Sequence, residues 1–454
     1  MPNEIYHRSE WGNPKAEGFG DVYFDASATN KLYNHSDNYE NSDGTDKILR
    51  DIPNKASIVL TPTAYSDGSL NTVLPTDGNG DFDFSRGSSA TRVNEQGLIE
   101  DVASGIPRID YTSGQGALLL EPQSTNLFPY SEDFSQWTST KANLTLGAVS
   151  PSGELNATTI TDDGSGGASG TVRIQSPNFD IIASTKYTFS AYVKANPNDQ
   201  ILVTTRNDDA LRGGTFNIST LTFTPQQGTE TGVLQSFGNG YYRIITTWTS
   251  GTDTRIAISI GFPNITLDGT NSFILWGAQA EALSFATSYI PTEGSAVTRS
   301  ADVANNSGNA DLFNDSEGVL YAEIAALADD LTRRNISISD GTTSNRILIL
   351  YNSNSNELRF FLAGSGGSIT VNYTLTEVTE FIKVALKYKA QDFGFYVNGV
   401  EVDTNTSNIT FSGLDDLSFN NPFGGGTSNF YGNVKSVAVF KEALTDAELQ
   451  ALTT

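Results

Sequence analysis

Residues 393–402 read FGFYVNGVEV, and this stretch decides how the rest of the sequence is interpreted. Aromatic and β-branched residues, which favour strands, flank the pair Asn398-Gly399 on both sides. An Asn-Gly pair in this setting is the strongest short-range signal for a two-residue β-hairpin, because both residues tolerate the positive φ of the turn. The stretch therefore predicts two antiparallel strands joined by a tight turn.

The composition extends this prediction to the whole chain. The protein has 454 residues, which corresponds to about three domains at ~150 residues each. Charged residues make up only 17%, there are 42 glycines, and the hydrophobic share of 37% lies below the ~45–50% of an average globular domain. The aromatic share of 10% argues against disorder. We expect an all-β, multidomain protein with thin sandwich cores and many loops.

Two long segments contain regularly spaced strand signals, which is typical of β-sandwiches. Residues 127–302 predict a jelly-roll sandwich, with strands at 171–175, 187–193, 201–205, 215–217, 241–249, 255–260 and 272–276. Residues 316–454 predict a second sandwich, with strands at 319–325, 335–339, 346–351, 357–362, 368–373, 381–388, 393–397 and 433–440. The second sandwich ends in a predicted helix, with Thr445 as N-cap and Glu448 as its capping-box partner.

The remaining segments are predicted to be irregular or short. Residues 1–80 are polar, and only Ala56–Leu60 is a clear strand signal, so this region would not fold alone. It is either a loosely packed arm or an anchor to a larger assembly. His7 and Trp11 are its candidate anchor residues, because an exposed Trp favours burial in a partner. Residues 81–126 are predicted to form a short β linker module, and residues 303–315 a linker.

Charge and residue usage exclude several classes of function. The net charge of −25 disfavours nucleic-acid binding. Cysteine is absent and there are two histidines, which excludes disulfides, thiolate catalysis and Cys-type zinc sites. No run approaches the ~20 apolar residues of a membrane span, so membrane insertion is not expected. The N-terminus has no apolar signal-peptide segment, so synthesis in a cytoplasm is expected.

Two blocks of sequence resemble bacteriophage proteins. SSATRVN (88–94), GLIE (97–100), PRIDY (107–111) and LLLEPQSTNL (118–127) together resemble a module common in tailed-phage structural proteins. Residues 127–302 resemble the phage head-spike fibre domain, which is similar in outline to carbohydrate-binding jelly rolls. That resemblance is carried by NLFPYSEDFSQW, GYYRIITTW, FILWGAQAE and TSYIPTEGSAVTRSAD.

The last third contains three further motifs: KVALKY before the Asn-Gly hairpin, NVKSVAVF (433–440) and LTDAELQ (444–450). Together they resemble the concanavalin-A-like, laminin-G-like fold. This fold serves lectins, enzymes and spacers alike, so it implies an architecture and leaves the function open.

Together these resemblances imply a structural component of a bacteriophage particle, a head or tail fibre or spike. Residues 1–80 would bind other virion proteins of the capsid or tail, and the protein would be a homotrimer. It would be made in the host cytoplasm and reside in the virion after lysis. Its sandwiches would project outward, where cell-surface or environmental polysaccharide is the candidate ligand. The alternatives are a tailspike-like glycan-degrading enzyme and a bacterial glycan-binding adhesin.

Candidate catalytic and metal-binding residues are few. A glycosidase needs two carboxylates at a defined separation, but the acidic pairs here are adjacent on the chain: Asp208/Asp209, Asp329/Asp330 and Asp415/Asp416. Residues 77–83 imitate the start of an EF-hand calcium loop, yet Phe82 and Ser88 occupy the required Gly and Glu positions. We therefore predict no enzyme, no cofactor and no metal site, with a structural Ca²⁺ left open.

Aromatic residues near turns are the candidate platforms for sugar stacking. Trp248 and Trp276 lie within strand patterns and are predicted to be core residues. The candidate glycan-binding residues are those nearer turns: Trp137, Tyr241, Tyr351 and Tyr431.

Overall fold

The computed structural model describes residues 22–25, 31–34, 52–64, 70–166, 168–169, 172–206, 209–228, 230–263, 265–422 and 428–454. The predicted anchor residues His7 and Trp11 lie outside these ranges. Within them the chain is an all-β protein, as predicted, and its strands pair antiparallel.

The strands up to residue 206 are short, which follows from the frequent Gly, Asn and Asp turns. They are β1 (Val22–Asp25), β2 (Lys31–Asn34), β3 (Ala56–Leu60), β4 (Asp83–Ser85), β5 (Ala90–Val93), β6 (Ile99–Val102), β7 (Ile109–Asp110), β8 (Ala117–Leu120), β9 (Ser124–Asn126), β10 (Thr138–Thr140), β11 (Ala142–Ala148), β12 (Ala157–Asp162), β13 (Ala168–Ser169), β14 (Arg173–Gln175), β15 (Phe179–Asp180), β16 (Lys186–Ala195) and β17 (Gln200–Arg206).

The later strands lead to a C-terminal helix, α1 (Asp446–Thr453), the α-helix of the described residues. The strands are β18 (Gly213–Asn217), β19 (Thr222–Pro225), β20 (Thr231–Phe237), β21 (Tyr241–Thr249), β22 (Arg255–Gly261), β23 (Ile265–Thr266), β24 (Ser272–Glu281), β25 (Val297–Arg299), β26 (Val303–Asn305), β27 (Glu317–Ala326), β28 (Arg334–Ser339), β29 (Arg346–Tyr351), β30 (Glu357–Gly364), β31 (Gly367–Thr374), β32 (Ile382–Lys389), β33 (Phe393–Val397), β34 (Val400–Asn405), β35 (Asp416–Ser418) and β36 (Gly432–Phe440). Short 3₁₀ turns lie at Pro53–Lys55, Pro62–Ala64, Phe134–Gln136, Gly238–Gly240 and Ala310–Leu312.

The chain divides into two compact units, and neither is continuous in sequence. Unit 1 comprises residues 1–86, 104–122 and 301–454, and unit 2 comprises residues 87–103 and 123–300. These units differ from the linear series predicted from the sequence, in which residues 81–126 formed a single module. The difference arises because strand pairing joins segments that lie hundreds of residues apart.

Unit 1 is a sandwich of an eight-stranded and a five-stranded sheet. The eight-stranded sheet has the order β34-β33-β32-β27-β36-β8-β7, with β3 also paired to β36, and the five-stranded sheet has the order β31-β30-β29-β28-β35. Alternate residues of both sheets, such as Ile324, Ile349 and Phe360, fill the core between them. Helix α1 covers the opposite face of the eight-stranded sheet, where Leu449 packs in one cluster with Tyr396.

Strands β3 and β8 lie end to end along one edge of β36. Leu60 pairs with Val437, and Leu118 pairs with Val434. Ile58 and Leu118 are fully buried in the sandwich core. Residues 56–60 are thus part of unit 1, whereas the sequence placed them in an irregular N-terminal region that was either a loosely packed arm or an anchor to a larger assembly. The correction has a physical reason: five apolar residues show that a strand forms but not which strand it pairs with.

The two local signals near the C-terminus are confirmed. Asn398 and Gly399 adopt φ values of 46° and 78° between β33 and β34, as the predicted hairpin turn requires. The Thr445 side chain accepts from the Glu448 backbone N–H, and the Glu448 side chain accepts from the Thr445 backbone N–H, which completes the predicted capping box of α1.

Four charged residues form a buried ion network in unit 1. The Arg108 guanidinium donates to the Glu121 carboxylate at 2.7 Å and also contacts Asp302. Arg86 pairs with Asp302 at 3.0 Å and donates to the Ile106 carbonyl at 3.0 Å. These side chains are at most 3% exposed. Arg86, Glu121 and Asp302 lie within two residues of points where the chain passes between units, so the network fixes those crossings on the unit 1 side.

Unit 2 is a sandwich of a seven-stranded and a six-stranded sheet. The first has the order β10-β14-β22-β17-β18-β19 with β15 paired to β22, and the second has the order β11-β12-β24-β16-β21-β20. Phe128, Phe189 and Ile260 are fully buried in the core between them. The β5–β6 hairpin belongs to this unit, where Ile99 packs in one cluster with Tyr192.

Candidate glycan-binding site

Two of the predicted stacking residues are buried in unit 2. The Trp137 ring is 4% exposed and packs edge-on against Phe134, and its indole N–H donates to the Tyr130 carbonyl at 3.0 Å. Tyr241 is 1% exposed, and its hydroxyl donates to the Val149 carbonyl at 2.6 Å. Burial raises the pKa of Tyr241 to about 12. Neither ring offers a free face to a sugar, so both are corrected to core residues.

The other two candidates lie in unit 1, and only one is accessible. Tyr351 is 2% exposed, and its hydroxyl donates to the Ile324 carbonyl at 3.1 Å, so it too is a core residue. Tyr431 is half-buried, and its hydroxyl accepts from the Asn429 amide at 3.1 Å. The prediction that Trp248 and Trp276 are core residues is confirmed.

The side of the five-stranded sheet that faces away from the core of unit 1 defines a second candidate surface, part of which is covered. Because side chains alternate along a strand, the residues between the core positions point away from the core. We call this surface the five-stranded face; its residues are Asn335, Ser337, Ser339, Arg346, Leu348, Leu350, Arg359, Phe361, Ala363, Ser368, Thr370, Asn372, Asp416 and Ser418. It is a mainly polar surface on a rigid sheet, which suits recognition of a hydroxyl-rich ligand.

One half of the five-stranded face contains buried polar atoms that lack partners. Ser337 and Asn335 are almost fully buried. The Ser337 Oγ, the Asn335 Oδ1 and the Arg346 Nε have no hydrogen-bond partner. Buried polar groups are nearly always satisfied by protein, water or ligand, because an unmade hydrogen bond costs about 1–3 kcal/mol. These three atoms therefore call for water or a ligand.

The other half of the five-stranded face is accessible. Phe361 and Arg359 are half-buried on β30, while Thr370 and Asn372 are exposed on β31. The Arg359 Nε donates to the Asn372 Oδ1 at 2.7 Å, and the Arg346 guanidinium lies 5.0 Å from the Phe361 ring centroid. These contacts hold an aromatic ring and hydrogen-bonding groups side by side. The polar–apolar alternation of β31 is a sequence signal for the polar residues of this surface. The predicted candidates did not include them because they were limited to Trp and Tyr near turns.

The adjacent acidic residues lie in different surroundings. Asp330 forms an ion pair with Arg334 at 2.8 Å, and Asp209 forms one with Arg212 at 2.9 Å; Asp208 lies outside the described residues. Asp416 instead lies within strand β35 and is partly buried, which raises the pKa of its carboxyl, and the charge of Asp415 raises it further.

The loop that imitates a calcium site uses its carboxylates internally. The Asp77 side chain accepts from the Asn79 backbone N–H at 3.0 Å, and the Asp81 side chain accepts from the Thr72 backbone N–H at 2.7 Å. Across the part of the chain that is described, no group of three or more acidic or histidine side chains converges to hold a metal ion.

Glu132 of unit 2 is the partly buried carboxyl that most resembles a functional acid. Burial raises its pKa, although hydrogen bonds from Tyr289 at 2.8 Å and from Asn156 at 2.8 Å work in the opposite direction. Tyr289 in turn packs 4.5 Å from Trp276. A raised pKa is typical of general acids but also of structural groups. These partners indicate a structural role, in which Glu132 positions the Tyr289 ring.

This raised pKa predicts how Glu132→Gln changes stability. The folded protein holds the proton to higher pH than the unfolded chain, so wild-type stability falls as pH rises from the unfolded pKa of about 4.3 through the folded pKa. Glutamine removes that loss. We expect a higher melting temperature than wild type at pH 7 and an equal one near pH 4. Glu154→Gln, at an exposed site of the same unit, is the control, and a lower melting temperature of Glu132→Gln at pH 7 would contradict the prediction.

The sandwich of unit 1 contains a segment that matches a known family. Residues 320–450 match the family described as the concanavalin A-like lectin/glucanases superfamily. The match covers less than a third of the chain, includes β28 to β31, and confirms the concanavalin-A-like fold predicted for the C-terminal segment. Strands β3 and β8, which pair with β36, lie outside the matched residues.

Solved structures resemble parts of the chain at low identity. The sialidase CBM40 of Ruminococcus gnavus bound to α2,3-sialyllactose is 16% identical, covers 33% of this chain and 94% of its own, and has a TM-score of 0.29. Domain 4 of the Geobacillus stearothermophilus arabinanase AbnA is 12% identical, covers 34% of this chain and 73% of its own, and has a TM-score of 0.28. Domains LG4–5 of mouse laminin α1 are 10% identical, cover 62% of this chain and 92% of their own, and have a TM-score of 0.24. These likenesses describe the fold alone. A search of curated proteins found no match.

Among the described residues, no helix is long and apolar enough to cross a membrane; the α-helix there, α1, has eight residues.

Proposed function

We propose that this protein is a non-catalytic, glycan-binding structural component of a bacteriophage particle. The observation that carries the glycan-binding part is the five-stranded face, a polar surface with an accessible aromatic ring within the segment that matches the concanavalin A-like lectin/glucanases superfamily. The phage part rests on the resemblance of residues 88–127 and 127–302 to phage structural proteins.

The chemistry of the five-stranded face supports sugar binding. Sugar hydroxyls both donate and accept hydrogen bonds, and one side of a pyranose ring carries C–H groups that pack on an aromatic ring. Arg359 supplies donors, Asn372 and Thr370 supply both donors and acceptors, and Phe361 supplies the ring.

Substitutions on the five-stranded face test the glycan-binding proposal. We expect Arg359→Ala and Phe361→Ala each to weaken binding to a glycan found by array screening at least about 10-fold, because each removes a central contact. Lys389→Ala, on the eight-stranded sheet of the same unit, is the control and should leave binding unchanged. Affinity is measured by isothermal titration calorimetry. Binding that survives both face variants would move the site elsewhere, and no binding on a broad array would refute the proposal.

The position of β3 narrows the region proposed to anchor the protein in the virion. Because β3 is built into the sheet of unit 1, the proposed contact with capsid or tail proteins lies in the residues before Ile52, which include His7 and Trp11. Homotrimerisation remains part of this proposal by analogy with phage fibres. Electron microscopy of the parent particle, with antibody against residues 316–454, tests it. Label on protrusions supports a fibre or spike, and an intact particle without label contradicts it.

The rival proposal, a glycan-degrading enzyme, predicts a different result. Incubating the purified protein with host-surface polysaccharide should release no oligosaccharide if the protein only binds. Released oligosaccharides would overturn the non-catalytic assignment.

A further inference from the structure

The seven-stranded sheet of unit 2 has a groove on the side away from its core. Across β14, β22 and β17, Arg173 pairs with Gly261, and Gly261 pairs with Leu202. In the next row, Ser259 of β22 pairs with Thr204 of β17. Ser259 and Thr204 are 2% exposed although they face away from the core, because the residues around them rise above this part of the sheet. Small residues therefore form the floor of a groove.

Two arginines line this groove. The Arg206 Nε donates to the Ser259 Oγ at 3.0 Å, and the Ser259 hydroxyl lies 2.9 Å from the Thr204 hydroxyl. Arg173 lines the groove from β14. Burial and, in second place, the positive charge of Arg173 lower the pKa of the Arg206 guanidinium. Two positive side chains thus line one small space, where the charge of Arg173 destabilises that of Arg206.

Neither arginine has a carboxylate partner among the residues that the structure describes. Arg173 and Arg206 form no ion pair there, and the buried Arg173 Nε makes no hydrogen bond. Yet acidic residues outnumber basic ones by 52 to 27 in this chain, and Arg212 and Arg255 of the same unit both pair with aspartates. An arginine pair left without anions in so acidic a protein is the arrangement expected where the anion comes from a ligand.

The shape and walls of the groove narrow the class of ligand. The enclosed part of the groove has a volume of about 10 Å³, roughly the room that one water molecule needs, so only a single small charged group enters it and the rest of a ligand lies outside, over the rim. Leu202, which is partly exposed, supplies an apolar surface beside the arginines, whereas Val172 and Phe262 are buried in the core. The close approach of strands also depends on Gly261, because a Cβ there would lie 1.9 Å from the Val172 carbonyl oxygen. An apolar side chain beside paired donors suits a sugar ring that carries a carboxylate better than a bare phosphodiester.

We propose that this groove binds the carboxylate of an acidic sugar, such as a uronic acid residue in a surface polysaccharide. The guanidinium groups of Arg173 and Arg206 hold the two carboxylate oxygens, the Ser259 hydroxyl, which is bonded to Thr204, positions Arg206, and Leu202 contacts the ring. This site lies in a different unit from the five-stranded face and uses different residues, so the two proposals stand or fall separately.

The test compares a charged and an uncharged form of one probe by biolayer interferometry on the full chain. The probes are biotinylated oligogalacturonate and its methyl ester, which keeps the sugar ring and removes the charge. We expect binding of the oligogalacturonate, little binding of the ester, and weaker binding as salt is raised. The double variant Arg173→Gln/Arg206→Gln should lower the affinity at least about 30-fold. Because the protein carries a net charge of −25, non-specific attraction to a polyanion does not mimic this result.

Two further variants make the outcome specific. The control variant Lys186→Gln/Arg255→Gln also removes two positive charges, but from exposed sites of unit 2, and it should bind oligogalacturonate like wild type. Arg173→Lys/Arg206→Lys keeps the positive charge but loses the planar set of guanidinium donors, so its affinity should lie between those of wild type and the glutamine variant. This variant also tests the proposal if the glutamine variant does not fold. Equal loss in the control pair, equal binding of the ester, or binding of teichoic acid phosphate in place of oligogalacturonate would overturn the proposal.

Discussion

Arg108→Met is expected to destabilise unit 1 by about 3–5 kcal/mol, because it leaves the carboxylates of Glu121 and Asp302 buried without their main counter-charge. Burial alone would lower the pKa of the Arg108 guanidinium, but the two carboxylates raise it above its usual value, which shows how strongly they stabilise its charge. A domain has only about 5–15 kcal/mol of stability in total. This one substitution should therefore remove a large part of it.

Hydrogen exchange measured by mass spectrometry checks this prediction, because it reports each unit separately. Protection should fall in β27 and β36 of unit 1 and persist in β16 and β24 of unit 2. Arg255→Met is the matched control, since Arg255 is 65% exposed and its contact with Asp180 is 3.8 Å long, so its loss should change stability by no more than about 0.5 kcal/mol. Unchanged protection in Arg108→Met would mean that the network contributes little.

The second large effect is expected at β3. Ile58→Ala and Leu60→Ala each empty a fully buried position in the core of unit 1 and should each cost about 2–5 kcal/mol. Truncation before residue 61 should be more severe, because it also removes the strand that pairs with Val437–Phe440 of β36 and leaves those backbone groups without partners. Unit 1 should then lose its cooperative unfolding transition.

Urea denaturation followed by circular dichroism measures the cost of the two point variants. Val400→Ala is the control, because Val400 lies in the same unit but is 57% exposed. If the truncated protein unfolds at the same urea concentration as the full chain, β3 does not stabilise the sheet. Residues 1–60 are then an independent arm, and the prediction is wrong.

Local signals in this sequence predicted local structure well. The Asn398-Gly399 turn and the capping box at Thr445 and Glu448 depend only on residues within a few positions of each other, and both are confirmed. The alternation of core and outer residues in β31 and the antiparallel sandwiches follow from the same short-range periodicity.

Non-local features were beyond the reach of such signals. Nothing in the five residues of β3 specifies β36 as its partner, and nothing near Arg173 or Arg206 indicates that register across β22 brings them to one groove. The stacking candidates failed for a related reason. Tyr241 lies near a turn in sequence, but it is buried in one cluster with Ile99 and Tyr289, and burial by segments distant in the sequence leaves no trace in local pattern. Trp137 is buried against Phe128 and Phe134, so its place near a turn did not make it accessible.

The end-to-end placement of β3 and β8 along β36 also sets the order of events during translation. Both strands leave the ribosome more than 300 residues before the strand with which they pair. At about 5–20 residues per second, Ile58 of β3 waits roughly 20–75 s for its partner strand and Leu118 of β8 roughly 15–60 s. Residues 87–300, which contain all of unit 2, are synthesised within the interval of β3. Unit 2 can therefore complete its fold first, while the nascent N-terminal strands are exposed edges that a chaperone or an identical chain can capture.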